Sequence, residues 1–340
     1  MAEPAGASLL TEERARVLAS GYKSRPFWGA ITPRWILRYL RAHNAFLSVD
    51  GGSYRVNRVT ESYLDVQTSV AGDTSVLPQE NLHVAHGHGE GSGLGESFAL
   101  YEPAPQQIWI RSVQTVVKVH TRVPTLYSAQ HNQLEQQIRL AAEYLYETQE
   151  NLFFSHPEYG ILTNVDPSFR FEGAPEPTTD VLDHLLSLSW KEPDLFVMHP
   201  ETFEALSIHA ARRSIRLGTV EKCGGRLFPS WQGIPIFPTN KLFLTPKSAK
   251  ADAAKGSVYE MQPRVPGDST TQIALLRVGE EKQGVVGLYA AKNPGSEKYP
   301  FISVDPMGIS DDSVASYLLS MFVAAATLAP DAVACAEVTV

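Results

Sequence analysis

The chain contains 340 residues, of which 43% are hydrophobic, and a globular chain of this length buries about 75% of the surface that its unfolded form exposes. Lysine and arginine number 29 against 37 aspartate and glutamate residues, and the net charge of -8 argues against a protein whose whole surface follows nucleic acid. The two cysteines, Cys223 and Cys335, form no CxxC pair, which excludes a disulfide framework and a zinc ribbon and makes a reducing compartment the default expectation.

The N-terminal residues show neither the basic nor the apolar region of a secretory signal, so we expect a cytosolic protein. A charge-free stretch at 314–329 falls short of the roughly 20 apolar residues that a membrane span needs, and it contains two serines and a threonine. We therefore predict a buried helix there and no membrane span.

Positive charge is concentrated near the N-terminus. Residues 14–41 contain seven lysines and arginines and no acidic residue, which leaves -15 (-8 minus +7) for the remainder of the chain. Aromatic residues make this segment too apolar for a disordered tail. Two interpretations stay open: a basic helix that lies on its own acidic domain, or, as charge complementarity favours, an arm that docks on acidic neighbouring subunits. The arm residues expected to make that contact are Phe27, Trp28, Arg34, Trp35 and Tyr39.

Residues 51–112 indicate an extended, protruding region. Within it, residues 86–95 are too rich in glycine to pack by themselves, which predicts an exposed loop or hinge. This loop and its flank carry side chains of metal-ligand type, and nothing in such a segment fixes their orientation, so we predict a solvent-facing loop and no metal site. The side chains concerned are His83, His86, His88 and Glu90.

The middle of the chain predicts a strand followed by a long helix. Valines alternate with polar residues from Ile108 to Thr121, which indicates a strand with one buried face. Apolar residues at helical spacing then predict a helix from about Ser128 to Phe154, which would span on the order of 40 Å.

Short strands and helices alternate in the second half. We predict a helix with Thr179 as N-cap that runs to about Ser189, and a second helix with Pro200 at its first position. A last helix is predicted from Ser310 to Pro330, because its apolar residues recur at helical spacing. Strands are predicted at 195–198, 234–237, 273–278, 284–288 and 332–340.

The common enzyme motifs are missing. The sequence contains no GxGxxG that opens a helix, no P-loop, no GxSxG elbow and no HExxH. An SxxK match at 20–23 lacks its partner KTG motif, and Cys223 beside Lys222 is interpreted as an ordinary cysteine. We predict that the chain is not an enzyme and has no catalytic, cofactor-binding or metal-ligating residue.

Several short segments, in their order and spread, resemble the second family of encapsulins, which are bacterial shell proteins that share the tailed-phage capsid fold. The N-terminal part of the likeness consists of ITPRW at 31–35, GSYRVNR at 52–58, VQTV at 113–116 and VHTRV at 119–123. The remainder consists of EQQIRL at 135–140, GVVGL at 284–288, MGI at 307–309 and ASYL at 315–318.

This resemblance implies an α+β architecture of the Hong Kong 97 type, the fold of tailed-phage major capsid proteins. It implies an N-terminal arm at 1–50, an extended loop at 51–112, a peripheral domain with a long spine helix at 113–195 and 306–340, and an axial domain at 196–305. In this fold the loop after the helix that starts at Pro200 tends to approach a symmetry axis. That implies pore-lining residues with a basic rim that favours small anions, namely Arg213, Ser214, Ile215 and Arg216.

The chain has no room for an inserted cyclic-nucleotide-binding domain, so it is similar to the simpler branch of the family, type 2A. That branch implies a non-enzymatic icosahedral shell of about 60 copies in the bacterial cytoplasm. The implied cargo is a cysteine desulfurase of sulfur metabolism, whose pyridoxal phosphate would sit on the cargo and not on this chain.

Two other functions are weighed against the encapsulin interpretation. A phage-type major capsid protein would enclose DNA, which a body of charge -15 makes electrostatically unfavourable unless the basic arm lines the wall. A membrane-associated protein could place the basic, aromatic segment at a lipid surface. A cysteine desulfurase gene beside this one would favour the encapsulin interpretation over both.

Overall fold

The computed structural model describes residues 35–49, 51–56, 105–120, 133–171, 173, 176–189, 191–242, 245–246, 269–290 and 302–340. The interpretations placed on residues 1–34 and on the histidine- and glycine-rich stretch 83–95 lie outside the described residues. The described residues form four α-helices and fifteen β-strands. The helices are α1 (Trp35–Ala42), α2 (Gln133–Ser155), α3 (Thr179–Leu188) and α4 (Pro200–Arg212).

The strands form two main sheets and one small hairpin. Sheet I consists of β1 (Phe46–Ser48), β4 (Arg111–His120), β12 (Val285–Tyr289), β13 (Ser303–Ile309) and β14 (Val314–Thr327). The first half of sheet II is β5 (Arg170–Phe171), β6 (Leu195–Met198), β7 (Gly218–Lys222) and β8 (Arg226–Trp231). The second half is β9 (Ile234–Pro238), β10 (Thr245–Pro246), β11 (Ser269–Leu276) and β15 (Val333–Thr339). The hairpin pairs β2 (Ser53–Arg55) with β3 (Gln107–Trp109).

Strand β14 is the centre of sheet I. One of its edges pairs with β4 along residues 314–323. Its other edge pairs first with β13 along 315–320 and then with β12 along 323–327. Strand β1 extends the sheet by a parallel pair with β12, in which Phe46 lies opposite Gly287. A Cβ atom on Gly287 would come within 2.3 Å of the Phe46 ring, which explains the glycine in this buried strand.

Helix α2 covers one face of sheet I. Its buried residues Leu134, Ile138 and Leu145 belong to the same apolar cluster as Val117 of β4 and Tyr317 of β14. This confirms the predicted strand with one buried face and the predicted long helix. In the described residues this helix is Gln133–Ser155, and these 23 residues span about 35 Å, whereas the predicted start at Ser128 lies outside the described residues.

The prediction of a last helix from Ser310 to Pro330 is wrong, because residues 314–327 form β14. The first half of this strand alternates, with Ala315, Tyr317 and Leu319 buried toward α2. Residues 323–327 are buried throughout, so apolar residues occupy both faces and satisfy the helical spacing as well as the strand spacing. Asp311 and Asp312 lie in the turn between β13 and β14 instead of in a first helical turn.

Sheet II follows the order β5-β15-β11-β6-β9-β8-β7, and β10 also pairs with β11. The predicted strands at 195–198, 234–237, 273–278, 284–288 and 332–340 are confirmed within a few residues. Helix α4 begins at Pro200 as predicted, with the His199 imidazole accepting from the Glu201 amide at 3.3 Å. Helix α3 begins at Thr179, and its N-cap is Thr178 instead of Thr179.

The two sheets divide the chain differently from the predicted domains. Strand β12 belongs to sheet I, although residues 285–289 fall in the predicted axial domain. Strand β15 belongs to sheet II, although residues 333–339 fall in the predicted peripheral domain. The domain boundaries stay a prediction, since they describe positions in an assembly rather than strand pairing.

A buried ion pair closes the junction between the sheets. Asp331 lies in the 3-10 turn Pro330–Ala332, which leads from β14 to β15, and Arg277 directly follows β11. The Arg277 guanidinium donates to both carboxylate oxygens, from Nη2 to Oδ1 at 2.6 Å and from Nη1 to Oδ2, and neither side chain is more than 1% exposed. The same Nη2 donates to the Gln283 carbonyl at 3.3 Å, which ties in the turn before β12.

We predict that Asp331→Ala lowers the free energy of unfolding by about 3–5 kcal/mol, because it leaves the Arg277 charge buried without its partner. A urea titration followed by circular dichroism at fixed protein concentration measures this loss. Asp180→Ala is the control, since it breaks the solvent-exposed pair with Arg213 and should cost much less. Equal losses in the two variants would contradict the assigned role of the junction.

Candidate assembly and pore surfaces

The predicted pore residues form the turn that ends α4. The Arg213 amide donates to the His209 carbonyl at 3.2 Å, and the Ile215 amide donates to the Ala210 carbonyl at 2.8 Å. Ser214 between them has a φ of 59°, the left-handed conformation with which helices commonly end. Arg213, Ser214 and Arg216 are exposed and Ile215 is half-buried, so the four residues lie at the surface. Their position on a symmetry axis stays a prediction.

The Arg213 side chain is held by the chain itself. Its Nη1 donates to both carboxylate oxygens of Asp180 on α3, at 2.9 and 3.0 Å. This pairing offsets the Arg213 charge and fixes the turn against the first turn of α3. Of the two arginines in this turn, Arg216 is therefore the one whose charge supports the predicted basic rim.

Asp183, one helical turn after Asp180, anchors a second turn. Its Oδ1 accepts from the Trp231 indole at 2.7 Å and from the Gln232 side-chain amide at 2.6 Å. Gln232 and Gly233 both have positive φ, 49° and 85°, as a tight hairpin turn between β8 and β9 requires. No local pattern in the sequence indicates these contacts, since the partners of the two aspartates lie at least 33 residues away.

Two of the predicted arm residues lie in the core of this chain. Trp35 and Tyr39 are 3% and 2% exposed. The Trp35 ring packs edge-on against Phe228 at 5.0 Å, and the Tyr39 ring packs against Phe237 at 5.6 Å. The guanidinium of Arg226 lies 4.8 Å from the centre of the Trp35 ring. These two side chains therefore have no surface to offer a neighbour in the folded subunit, and they would affect assembly through the fold.

Helix α1 also contacts α2. The Ile36 amide donates to Oε1 of the buried Glu150 at 3.3 Å, and the Arg41 guanidinium lies 5.5 Å from the centre of the Tyr146 ring. Burial raises the pKa of the Tyr39 phenol, so this hydroxyl stays neutral. The other predicted arm residues, Phe27, Trp28 and Arg34, lie outside the described residues, and their assembly role stays a prediction.

Cys223 occupies the turn between β7 and β8 with a φ of 55°. Burial raises the pKa of its thiol, although Arg38 and Lys222 act in the opposite direction. A raised pKa leaves little thiolate at neutral pH, which fits an unreactive cysteine. Cys335 is buried in β15. Within the described ranges, no group of three or more histidine, cysteine, aspartate or glutamate side chains could hold a metal ion.

A cavity of about 410 Å³ lies beside the end of α2, β11 and β15. Arg170 and Lys241 are the basic residues in its wall. Arg170 donates to the Leu162 carbonyl at 3.1 Å, and the Lys241 ammonium pairs with Glu147. The chain itself thus engages both of these cations.

Large apolar side chains are exposed at several places on the subunit. They are Trp109, Val116, Leu140, Tyr144, Ile208, Leu227, Met307, Ile309 and Phe322. Exposed apolar groups that cluster mark interaction surfaces more often than isolated ones do. The exposure of Met307 and Ile309 could not be predicted from the sequence, since strand pairing decides which side chains face solvent. In the described part of the chain, no helix is both long and apolar enough to cross a membrane.

Comparison with known proteins identifies relatives along almost the whole chain. The model of the SrpI-like type 2A encapsulin shell protein family matches residues 68–340. The type 2A encapsulin shell protein SrpI of Synechococcus elongatus is 36% identical over 328 residues, which cover 96% of this chain and 92% of that protein.

Solved structures agree with this match. The holo-SrpI encapsulin complex of Synechococcus elongatus PCC 7942, solved by cryo-electron microscopy, superimposes with a TM-score of 0.66 at 34% identity, covering 97% of this chain and 96% of that chain. The head structure of Helicobacter pylori bacteriophage KHP40 superimposes with a TM-score of 0.52 at 8% identity, covering 86% of each chain. At that identity the phage protein supports the fold alone, which is that of tailed-phage capsid proteins, as expected.

We predict that Trp35→Ala lowers the free energy of unfolding by about 3–5 kcal/mol, because it opens a cavity between α1 and the β8–β9 ribbon. Trp109→Ala removes the same side chain from a site that is 53% exposed and should cost less than about 1 kcal/mol. Urea titrations of both variants at one protein concentration make the comparison. A Trp35→Ala protein as stable as Trp109→Ala would show that α1 does not belong to the core.

Proposed function

The chain belongs to the SrpI-like family of type 2A encapsulin shell proteins, and on that basis we propose that its copies close into an icosahedral shell of about 60 subunits around a cargo enzyme. The observation that carries the proposal is the 36% identity to a shell protein along 96% of the chain. As a shell component the chain is structural, is not an enzyme and has no cofactor of its own.

We propose a cysteine desulfurase as the cargo, with pyridoxal phosphate on the cargo, and a role in sulfur metabolism or storage in the bacterial cytoplasm. Support comes from the resemblance to the branch without an inserted nucleotide-binding domain. The SrpI relative was solved as a holo complex, which is consistent with an occupied shell in that protein.

We further propose that the arm before Trp35 docks on a neighbouring subunit through Phe27, Trp28 and Arg34. The charge contrast between residues 14–41 and the remainder of the chain supports this contact. The turn at 213–216 is proposed to line a pore, with Arg216 as its unpaired cation among the described contacts and Arg213 held by Asp180. Small anions would be favoured at such a rim.

The purified full chain should form uniform hollow particles of about 2 MDa, as expected for about 60 copies of a 37.3 kDa chain. Mass photometry and negative-stain microscopy measure particle mass and shape at physiological salt. A monodisperse monomer or dimer under these conditions would refute the shell function.

Co-expression with a cysteine desulfurase encoded beside this gene should yield particles with the yellow colour of pyridoxal phosphate and with desulfurase activity. The shell expressed alone is the control, and it should be colourless and inactive on cysteine. Cysteine turnover by the empty shell would contradict the structural role. A desulfurase that never co-purifies would contradict the cargo proposal and leave the shell function intact.

A further inference from the structure

Strands β4 and β13 lie on opposite sides of β14 in sheet I, and one end of each lies near the start of β14. In the described residues β14 is the only strand paired with β4, and it is also the only strand paired with β13. His120 at the end of β4 lies opposite Val314, and Ile309 at the end of β13 lies opposite Ala315. The tips of the two edges therefore flank the start of β14, about 10 Å apart across two strand spacings.

The β4 edge (Val116, Lys118 and His120) combines an apolar side chain with basic ones. These residues occupy every second position of β4, so their side chains share the face of sheet I that α2 does not cover, and all three are exposed. Val116 is 43% exposed. Arg111, at the far end of β4, is engaged by Glu158, so the basic groups of this edge without a partner in the described contacts lie near its tip.

The β13 edge (Met307, Ile309, Asp311 and Asp312) combines apolar side chains with acidic ones. Met307 and Ile309 are 60% and 50% exposed, and both aspartates are exposed in the turn that follows. A β-bulge lies between Pro306 and Gly308, so Met307 has no partner on β14.

The bulge decides what kind of contact this edge can make. Pro306 lacks an amide hydrogen, and Gly308 has a φ of 108°, so the backbone offers no regular ladder to an added strand. A bulge at a sheet edge also re-aims side chains. The β13 edge is therefore suited to contact through its side chains rather than through strand addition.

We propose that the β13 edge of one subunit docks on the β4 edge of a second copy of this chain. Met307 and Ile309 would pack over Val116, and Asp311 and Asp312 would face Lys118 and His120. The inference rests on the proposed shell function, and it names a surface by which the shell assembles. Its occupant is a second copy because the two edges match in both charge and apolar character.

Such a contact joins two different surfaces, so it is heterologous and repeats from subunit to subunit until a rotation closes the ring. Closed rings about its symmetry axes are what an icosahedral shell requires. The apolar contacts supply most of the affinity, because exposed ion pairs contribute little, while the charges select the partner edge and suppress contacts between like edges.

Charge reversal at either edge tests the proposal. Like charges placed opposite each other are strongly unfavourable, so Asp311→Lys with Asp312→Lys should lower particle yield at least about tenfold, and so should Lys118→Glu with His120→Glu. The four substitutions together place acidic groups on the β4 edge and basic groups on the β13 edge, and should restore yield to within about threefold of the unmodified chain. Glu192→Lys with Glu281→Lys is the matched control for the aspartate variant, since it also replaces two exposed acidic residues by lysines, but elsewhere, and should leave the yield unchanged.

Particle yield is measured by mass photometry, and circular dichroism confirms that the unassembled subunits are folded. Folded two-site variants that assemble like the control would overturn the proposal, as would a folded four-site variant no better than the two-site variants. Neither result affects the shell function, which fails only if the unmodified chain forms no particles.

Discussion

The pairing of β14 on both of its edges is the constraint on which the rest of the subunit depends. This strand aligns β4, β13 and β12, and its residues Ala315, Tyr317 and Leu319 belong to the apolar cluster on which α2 packs. It then passes through the 3-10 turn Pro330–Ala332 into β15, so one continuous segment belongs to both sheets. The buried pair of Arg277 and Asp331 lies at that crossing and ties it to the end of β11.

The candidate surfaces of this subunit are held by contacts between distant parts of the chain. Helix α1 packs against Phe228 of sheet II and contacts α2, so the residues that directly follow the proposed docking segment contact both halves of the subunit. The aspartates of α3 fix the turn after α4 and the turn between β8 and β9. The contacts that orient the candidate surfaces are thus long-range, which makes the surfaces depend on the fold as a whole.

Local signals in the sequence predicted most of the elements. Pro200 marked the start of α4, and the alternation around Val117 marked β4, because each pattern has one dominant structural solution. The prediction was wrong for the segment that forms β14. Because apolar residues occupy both faces of the end of this strand, their spacing fits a helix as well as a strand. Trp35 and Tyr39 were assigned to an intersubunit arm on charge and aromatic content, yet both belong to the core. No local pattern indicates whether such a segment packs on its own chain or on a neighbour.

The register of β14 against β4 is the most direct test of this account. Ser112 lies opposite Phe322, so a pair of cysteines at these positions should form a disulfide under mild oxidation in a background with Cys223→Ser. A pair at Ser112 and Leu318 should not, because the two positions are about 13 Å apart along the strands. Peptide mapping by mass spectrometry detects both cross-links. Formation of the first alone agrees with the strand, whereas equal cross-linking of both pairs, as expected for residues one turn apart on a helix, would contradict it.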